Sequence, residues 1–425
     1  MRRAAIAVLA AGLALLALVW LLNLRDDEEV HDARPLTPPA PDSVARGAYL
    51  ARAGNCMACH TERGGAPFAG GRAIDTPFGT VYAGNLTPDA ATGIGKWSRA
   101  QFWRALHEGR SRAGRLLYPA FPYPNYTLVT REDSDAIFDF LRSVPSVKRA
   151  NTPHALRWPY RTQAALAAWR ALYFTPGEYR VDRAQSAAWN RGAYLVRGLG
   201  HCGACHTARN AFGANSDMMD LSGGLIPMQN WYAPSLASPR EAGVADWEPA
   251  QIVKLLQTGV APRGTVLGPM AEVVLQSTQH LAPADLQAMA VFLKALPQAD
   301  PQAARASAAV MGNPMAARGA KLYEQHCAQC HGDHGEGVAG AYPALAGNRA
   351  VTLPVTVNLV QVLLGGGFAP ATAGNPRPFG MPPYATVLSD ADIAAVISHI
   401  RASWGNNAAA IDELTVSQQR GGAGS

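Results

Sequence analysis

All six cysteines of the 425-residue chain fall in pairs with one spacing, and a histidine directly follows each pair. The three Cys-x-x-Cys-His motifs span residues 56–60, 202–206 and 327–331. Two thiols at this spacing can add across the two vinyl groups of a porphyrin, and the adjoining imidazole can bind its iron. The motifs therefore predict three covalently bound haem c groups. The attaching thiols are Cys56, Cys59, Cys202, Cys205, Cys327 and Cys330, and the iron-binding imidazoles are His60, His206 and His331.

Paired cysteines also occur in thioredoxin-like redox sites and in zinc knuckles. The sequence has no βαβ context for a redox pair. A zinc ion takes its four ligands from two knuckles, so the third motif would have no partner motif. We therefore interpret the three motifs as haem attachment sites. This interpretation places the globular part outside the cytoplasm, because covalent haem attachment in bacteria is completed in the periplasm.

An electron-carrying haem usually has a methionine as its sixth ligand. Met381 follows the third motif and Met270 follows the second, each just before a helical pattern. Met218, Met219 and Met228 compete with Met270. The corresponding segment after the first motif has Phe121 instead, so the sixth ligand of the first haem is unknown. His107 is a weak candidate, since a lone histidine on a charged helix next to Glu108 and Arg110 is more often solvated.

A repeat surrounds each motif and indicates how the haems are positioned. An Arg-Gly-Ala-x-Leu helix precedes each motif, and its glycine leaves room for another helix: Gly47, Gly192 and Gly319. Closing helices are predicted at 133–141, 283–296 and 390–400, with Ser134 among the start signals. The fold class is mainly α, with three tandem cytochrome c-type domains whose loop-rich haem crevices account for the 41 glycines and 31 prolines.

The repeat predicts the domain organisation. Residues 42–150, 184–298 and 314–405 form the three cytochrome c domains. An aromatic-rich connector (151–183) separates the first two, and a linker (299–313) separates the second from the third. Residues 406–425 have no periodicity and are expected to be a mobile tail or to be held by another subunit.

The amino terminus carries 21 almost entirely apolar residues, 4–24, which is long enough to cross a bilayer as a helix. Arg2 and Arg3 precede it within a short cytoplasmic tip (1–3), so the rest of the chain is expected to be exported. The alternative is a cleaved signal peptide. Residues 25–41 are a proline-rich tether. A net charge of only +6, without a basic run, argues against nucleic-acid binding.

Several blocks resemble the tri-haem cytochrome c subunits of membrane-bound periplasmic dehydrogenases over residues 43–405. They include Gly-Leu-Gly-His-Cys-Gly-Ala-Cys-His-Thr at 198–207, Leu-Tyr-Pro-Ala-Phe-Pro-Tyr at 117–123 and Asn-Pro-Arg-Pro-Phe-Gly-Met-Pro-Pro at 375–383. The resemblance implies the haem ligands named above. It also implies a partner large subunit of quinoprotein, flavoprotein or molybdenum type, with or without a small third subunit. The acceptor it implies is membrane ubiquinone or a terminal oxidase of the respiratory chain. Some relatives have methionine where this chain has Phe121.

The sequence thus predicts an electron relay with no catalytic site of its own, on the periplasmic side of the inner membrane. A peroxidase-like enzyme with an open first haem is the alternative, and a haem-based sensor is a third. The substrate of the partner dehydrogenase cannot be read from this chain.

Overall fold

The structure is a computed structural model that describes residues 2–24, 39–215, 220–299 and 313–422. The chain forms two compact units. The first contains Met1–Val181, Val196–Ala204 and Arg209–Met218, and the second contains Asp182–Leu195, Cys205–Ala208 and Met219–Ser425. Several sequence predictions fall on residues outside the described ranges. These residues are most of the tether, Met218, Met219 and most of the linker.

The first unit is mainly helical with one small sheet. Its helices are α1 (Arg2–Leu24), α2 (Pro41–Ala53), α3 (Cys56–His60), α4 (Arg99–Glu108), α5 (Tyr123–Tyr126), α6 (Arg131–Ser143) and α7 (Gln163–Tyr173). The sheet is antiparallel in the order β1 (Ala73–Thr76), β2 (Gly79–Tyr82), β3 (Ala155–Leu156). The aromatic connector supplies β3 and α7, and its Phe174 packs edge-on against the buried Tyr123.

The second haem motif follows an irregular helix. Helix α8 (Ala187–Ala193) continues as a π-helix (Tyr194–Leu199), and α9 (Gly203–His206) carries the motif. The remaining helices are α10 (Pro249–Thr258), α11 (Gly268–Gln276), a 3₁₀ turn (Thr278–His280), α12 (Pro283–Lys294), α13 (Asn313–His326), α14 (Ala328–His331), α15 (Arg349–Thr352), α16 (Val357–Gly365), α17 (Asp390–Ala402) and α18 (Glu413–Gly422). Three antiparallel strand pairs complete the second unit: β4 (Gly224–Ile226) with β5 (Trp231–Ala233), β6 (Val260–Ala261) with β7 (Gly264–Thr265), and β8 (Gly367–Phe368) with β9 (Gly380–Met381).

Three pairs of crossing helices form the framework: α2 with α6, α8 with α12, and α13 with α17. A Cβ added to Gly47 of the first opening helix would lie 1.8 Å from the carbonyl oxygen of Ala136. In the other two opening helices, a Cβ on Gly192 would lie 2.0 Å from the carbonyl oxygen of Ala288, and a Cβ on Gly319 would lie 2.3 Å from that of Ala395. Any side chain there would overlap the closing helix, which is the role that the sequence predicts for these glycines.

An ion pair recurs at each crossing. The arginine just before the glycine binds an aspartate in the first turn of the closing helix. The pairs are Arg46–Asp133 at 2.6 Å, Arg191–Asp285 at 2.7 Å and Arg318–Asp392 at 2.7 Å. The aspartate also lies where the helix dipole favours negative charge. In each repeat, the glycine therefore sets the distance between the opening and closing helices, and the ion pair sets their register.

Three details differ from expectation. Thr130 caps α6 by accepting a hydrogen bond from the Asp133 amide, so Ser134 is inside the helix and was wrong as a start signal. The tail contains α18, whose Val416 is completely buried and whose Arg420 binds Asp390. Because Val416 is the one apolar side chain that this helix buries among its described residues, the sequence shows no hydrophobic periodicity here. The second and third predicted domains share one unit, in which Asn358 exchanges two 2.8 Å hydrogen bonds with the backbone of Tyr232.

Helix α1 carries the amino-terminal apolar segment. Within the part of the chain that the structure describes, no helix meets the length and hydropathy needed to cross a membrane. At its carboxyl end, Asn23 donates a 3.0 Å hydrogen bond to the Ala167 carbonyl oxygen of α7 and accepts one from Arg170.

Candidate haem sites

The first motif forms a one-turn helix, α3, entered through Asn55 in the left-handed region at φ 51°. Burial, with the neighbouring Cys59, raises the pKa of the Cys56 thiol to about 12. His60 places its Nδ1 2.8 Å from the Gly84 carbonyl oxygen. Since a carbonyl only accepts, Nδ1 carries the proton and Nε2 keeps the lone pair that an iron ion needs.

The same geometry recurs at the other two motifs. The Nδ1 of His206 lies 2.7 Å from the Pro234 carbonyl oxygen, and that of His331 lies 3.0 Å from the Pro343 carbonyl oxygen. Burial lowers the pKa of all three imidazoles, which keeps them neutral and able to bind metal. A histidine whose Nδ1 proton is held by a carbonyl is the usual arrangement of an iron or zinc ligand.

The residues present therefore fit haem c. The cysteines are free thiols, five of them partly buried and Cys59 exposed. Each pair lies directly beside an imidazole of fixed tautomer. The bound group would supply an iron that alternates between two oxidation states, while the chain holds it covalently and sets its axial ligation.

Two arginines brace the first two motifs, and sequence reasoning missed both. The Arg72 guanidinium donates to the carbonyl oxygen of Ala58, and that of Arg209 donates to the carbonyl oxygen of Ala204. Both carbonyls belong to the residue just before the second cysteine of their motif. The carbonyls that hold the imidazoles do have a sequence signal, because Gly84 and Pro234 each follow a Tyr-Ala pair.

Met381 lies in the core that also contains the third motif. It forms β9 opposite β8, and it packs against the same buried cluster as Cys327. The hydroxyl of Tyr384 donates a 2.7 Å hydrogen bond to the carbonyl oxygen of His326, next to the first cysteine. The structure thus brings together the segments that carry both expected axial ligands of the third haem.

Met270 lies in the first turn of α11, and it is partly buried. The helix begins at Gly268, whose φ is +55° and whose added Cβ would meet the Trp231 ring at 2.7 Å. Trp231 opens the strand that leads to Pro234, the partner of His206. The alternative Met228 is 64 % exposed, whereas Met218 and Met219 lie outside the described residues.

The first site has aromatic groups where the other two have methionine. The Phe121 ring lies 5.4 Å from that of Tyr126, and the Tyr126 hydroxyl donates a 2.8 Å hydrogen bond to the Gly54 carbonyl oxygen. Burial, with the nearby Cys56 and Cys59, raises the pKa of Tyr126 well above its usual value. Residues 117–126, which form this segment, include no methionine.

His107 is placed on α4, where its environment is more enclosed than the sequence suggests. Its ring stacks on Trp103 at 4.1 Å, and its Nδ1 lies 2.8 Å from the Thr127 carbonyl oxygen. Its role as sixth ligand stays a prediction.

Crossed helices around motifs with these imidazoles define a c-type cytochrome, and the Cytochrome c family matches residues 44–145 and 316–404. The chain is 38 % identical over 383 residues to the alcohol dehydrogenase (quinone) cytochrome c subunit of Gluconobacter oxydans (strain 621H), covering 86 % of this chain and 79 % of that protein. It is 36 % identical to the gluconate 2-dehydrogenase cytochrome c subunit of Pantoea cypripedii (86 % and 87 % covered) and 33 % identical to the fructose dehydrogenase cytochrome subunit of Gluconobacter japonicus (91 % and 85 % covered).

The chain belongs to the family of cytochrome c subunits of dehydrogenases. It is an electron-transfer subunit and not the catalytic one, as the sequence predicts. The relatives give no support to the peroxidase alternative.

Proposed function

We propose that this chain binds three haem c groups and relays electrons from a dehydrogenase catalytic subunit to membrane ubiquinone, on the periplasmic side of the inner membrane. The observation that supports it best is the threefold repetition of a Cys-x-x-Cys-His motif whose imidazole Nδ1 lies on a backbone carbonyl. Three equivalent sites in one chain suit a relay better than a single catalytic centre.

The chain's residues perform three tasks in this function. The cysteine pairs hold the cofactors so that they cannot dissociate during turnover. The carbonyls of Gly84, Pro234 and Pro343 fix the proximal imidazoles and raise their basicity. Met270 and Met381, as sixth ligands, would raise the potentials of the second and third haems above that of a haem without methionine.

The proposed anchor is α1. Most of its described apolar side chains are exposed, with Leu13, Leu15, Leu16 and Trp20 between 59 % and 67 % accessible. Such a surface is costly in water and suited to lipid, and tryptophan favours the membrane interface. Arg2 and Arg3 lie at its amino-terminal end, which supports an exported carboxyl-terminal part.

The partner proposed is the catalytic subunit of a dehydrogenase that oxidises a small organic compound. Three of the relatives are named for alcohol, gluconate and fructose dehydrogenases. Quinoprotein, flavoprotein and molybdenum partners all remain within this proposal.

The test is expression of the full chain with a cytochrome c maturation system, followed by the haem-to-protein ratio and the intact mass. We expect three haems, and one haem fewer in each of C59S, C205S and C330S. The membrane-bound protein with its co-purified dehydrogenase should then be reduced by the dehydrogenase substrate and reoxidised by a ubiquinone analogue. Fewer than three haems, or reduction of the isolated chain by substrate without a partner, would contradict the proposal.

A further inference from the structure

The peptides that precede the first and second haem motifs are in direct contact. The Gly54 carbonyl oxygen, two residues before Cys56, lies 3.3 Å from Nε2 of His201, the residue directly before Cys202. The same oxygen accepts the 2.8 Å bond from Tyr126. A carbonyl oxygen has two lone pairs, so these two donors satisfy it fully.

Packing around this oxygen is close. The His201 and Tyr126 rings meet edge to face, with centroids 5.4 Å apart and an interplanar angle of 80°. A Cβ added to Gly54 would lie 3.3 Å from Cδ1 of Leu199, which is 1 % exposed. The side-chain amide of Asn125 donates a 3.0 Å bond to the Arg197 carbonyl oxygen. All of these residues belong to the first unit.

The sequence contains an extra residue at this point. Cys56 follows its repeat arginine, Arg46, by ten residues, whereas Cys202 follows Arg191 by eleven. The π-helix Tyr194–Leu199 lies within this longer spacing. A π-helix is uncommon and occurs most often at functional sites. Along the chain it lies between Gly192 and His201.

His201 adopts a conformation that this contact needs. Its φ is +40°, in the left-handed region that non-glycine residues seldom occupy. Asn55 occupies the same region at the same place before the first motif, with φ 51°. Burial lowers the pKa of His201, so its ring is neutral and passes no proton with an electron.

We infer that His201 is a positioning residue that couples the first and second haems, its contact with the Gly54 carbonyl forming a hydrogen-bonded route between Cys56 and Cys202. The inference rests on the proposed function and specifies one step of it. With haems held at the Cys56 and Cys202 motifs, one electron would move from a reduced to an oxidised iron, and no bond would form or break. Electron transfer through a hydrogen bond is faster than across an open gap of the same length.

The test is one-electron pulse reduction of the full-length, haem-loaded protein, with the relaxation between the first two haems followed by absorbance. A first haem without a methionine ligand would differ in absorbance from the other two haems. The variant is His201→Asn, since Asn55 shows that asparagine accepts the backbone conformation. We expect electron exchange to slow several-fold while the midpoint potentials and haem content stay unchanged.

Two controls separate this role from a structural one. His326 directly precedes Cys327, so His326→Asn makes the same change at the third motif and should leave this exchange at the wild-type rate. Tyr126→Phe removes the other donor to Gly54 and should lower stability without slowing the exchange. If H201N fails to load haem, His201→Phe takes its place, because it keeps the ring volume and has no N–H.

Wild-type exchange in H201N or H201F, or equal slowing in Tyr126→Phe, would overturn the inference and leave the proposed relay intact. A wild-type chain with three haems that its dehydrogenase cannot reduce would instead refute the relay. The haem content of each variant, measured first, keeps the two results apart.

Discussion

The hydroxyl of Tyr384 donates a 2.7 Å hydrogen bond to the carbonyl oxygen of His326. This bond ties the segment after Met381 to the peptide before Cys327, so the two sides of the third haem site are held by a direct link. In the first site the corresponding link runs from Tyr126 to Gly54. The two tyrosines thus hold equivalent segments, although only the third site has a methionine nearby.

Replacing Met381 should lower the potential of the third haem. Met381→Leu keeps the side-chain volume but removes the thioether sulfur. We expect a fall on the order of 0.1 V in one midpoint potential, since axial ligands set haem potentials over about 0.8 V. The matched control is Met315→Leu, because Met315 packs against the same core cluster. Unchanged titration curves for Met381→Leu would remove Met381 as a ligand.

Replacing Tyr384 should weaken the third site without unfolding it. Tyr384→Phe deletes one hydrogen bond and leaves the His326 carbonyl without this donor, which should cost about 1 kcal/mol of unfolding free energy. Denaturant unfolding of the haem-loaded protein measures it. The potentials of the first two haems should not move, and a shift in either would show that the bond acts beyond its own site.

Local spacing explains what the sequence could predict. The Cys-x-x-Cys-His motifs, the crossing glycines and the individual opening and closing helices all follow from residues a few positions apart, which is where sequence patterns are strongest. The glycine at 192 illustrates this, because its absent side chain has a direct counterpart in the 2.0 Å approach to Ala288.

Long-range contacts explain what it could not. The Arg46–Asp133 pair joins residues 87 positions apart, and the Arg349–Asp246 contact joins residues 103 apart. Neither leaves a periodic signal, since charged residues on helix ends are common. Helix α18 was missed for a related reason, because it is stabilised by Val416 and Arg420 packing on residues distant in sequence.

Adding a methyl group at a helix crossing should be severely destabilising. In Gly192→Ala the new Cβ would lie 2.0 Å from a backbone oxygen, which no rotamer change relieves. We expect a loss of at least about 3 kcal/mol, at the upper end of overpacking costs, and poor haem incorporation. Gly365→Ala is the control, since nothing lies within 4 Å of its Cβ and the change should stay within about 0.5 kcal/mol. Equal stability of the two variants would contradict the close crossing.

Acid should weaken an ion-pair cluster in the second unit. The Asp246 carboxylate binds Arg263 at 2.6 Å and Arg349 at 2.8 Å, and Arg349 also donates to the Gly243 carbonyl oxygen. Desolvation alone would raise the pKa of Asp246, but the hydrogen bonds and charges of the two arginines outweigh it and lower the pKa to about 2. The cluster joins the second and third predicted domains.

Because the folded pKa is below the ordinary value, the carboxylate stabilises the fold fully above about pH 4, and this contribution is lost as the pH falls through about 2. Asp246→Asn should therefore be less stable than the wild type at neutral pH, with a difference that shrinks in acid and in high salt, since the side chain is 53 % exposed. Thermal unfolding of both proteins across this pH range measures it. Asp75→Asn, at an aspartate bonded to Thr80, is the control and should show no comparable trend. A difference between wild type and Asp246→Asn that stays constant down to pH 2 would show that the two arginines do not stabilise the ionised carboxylate.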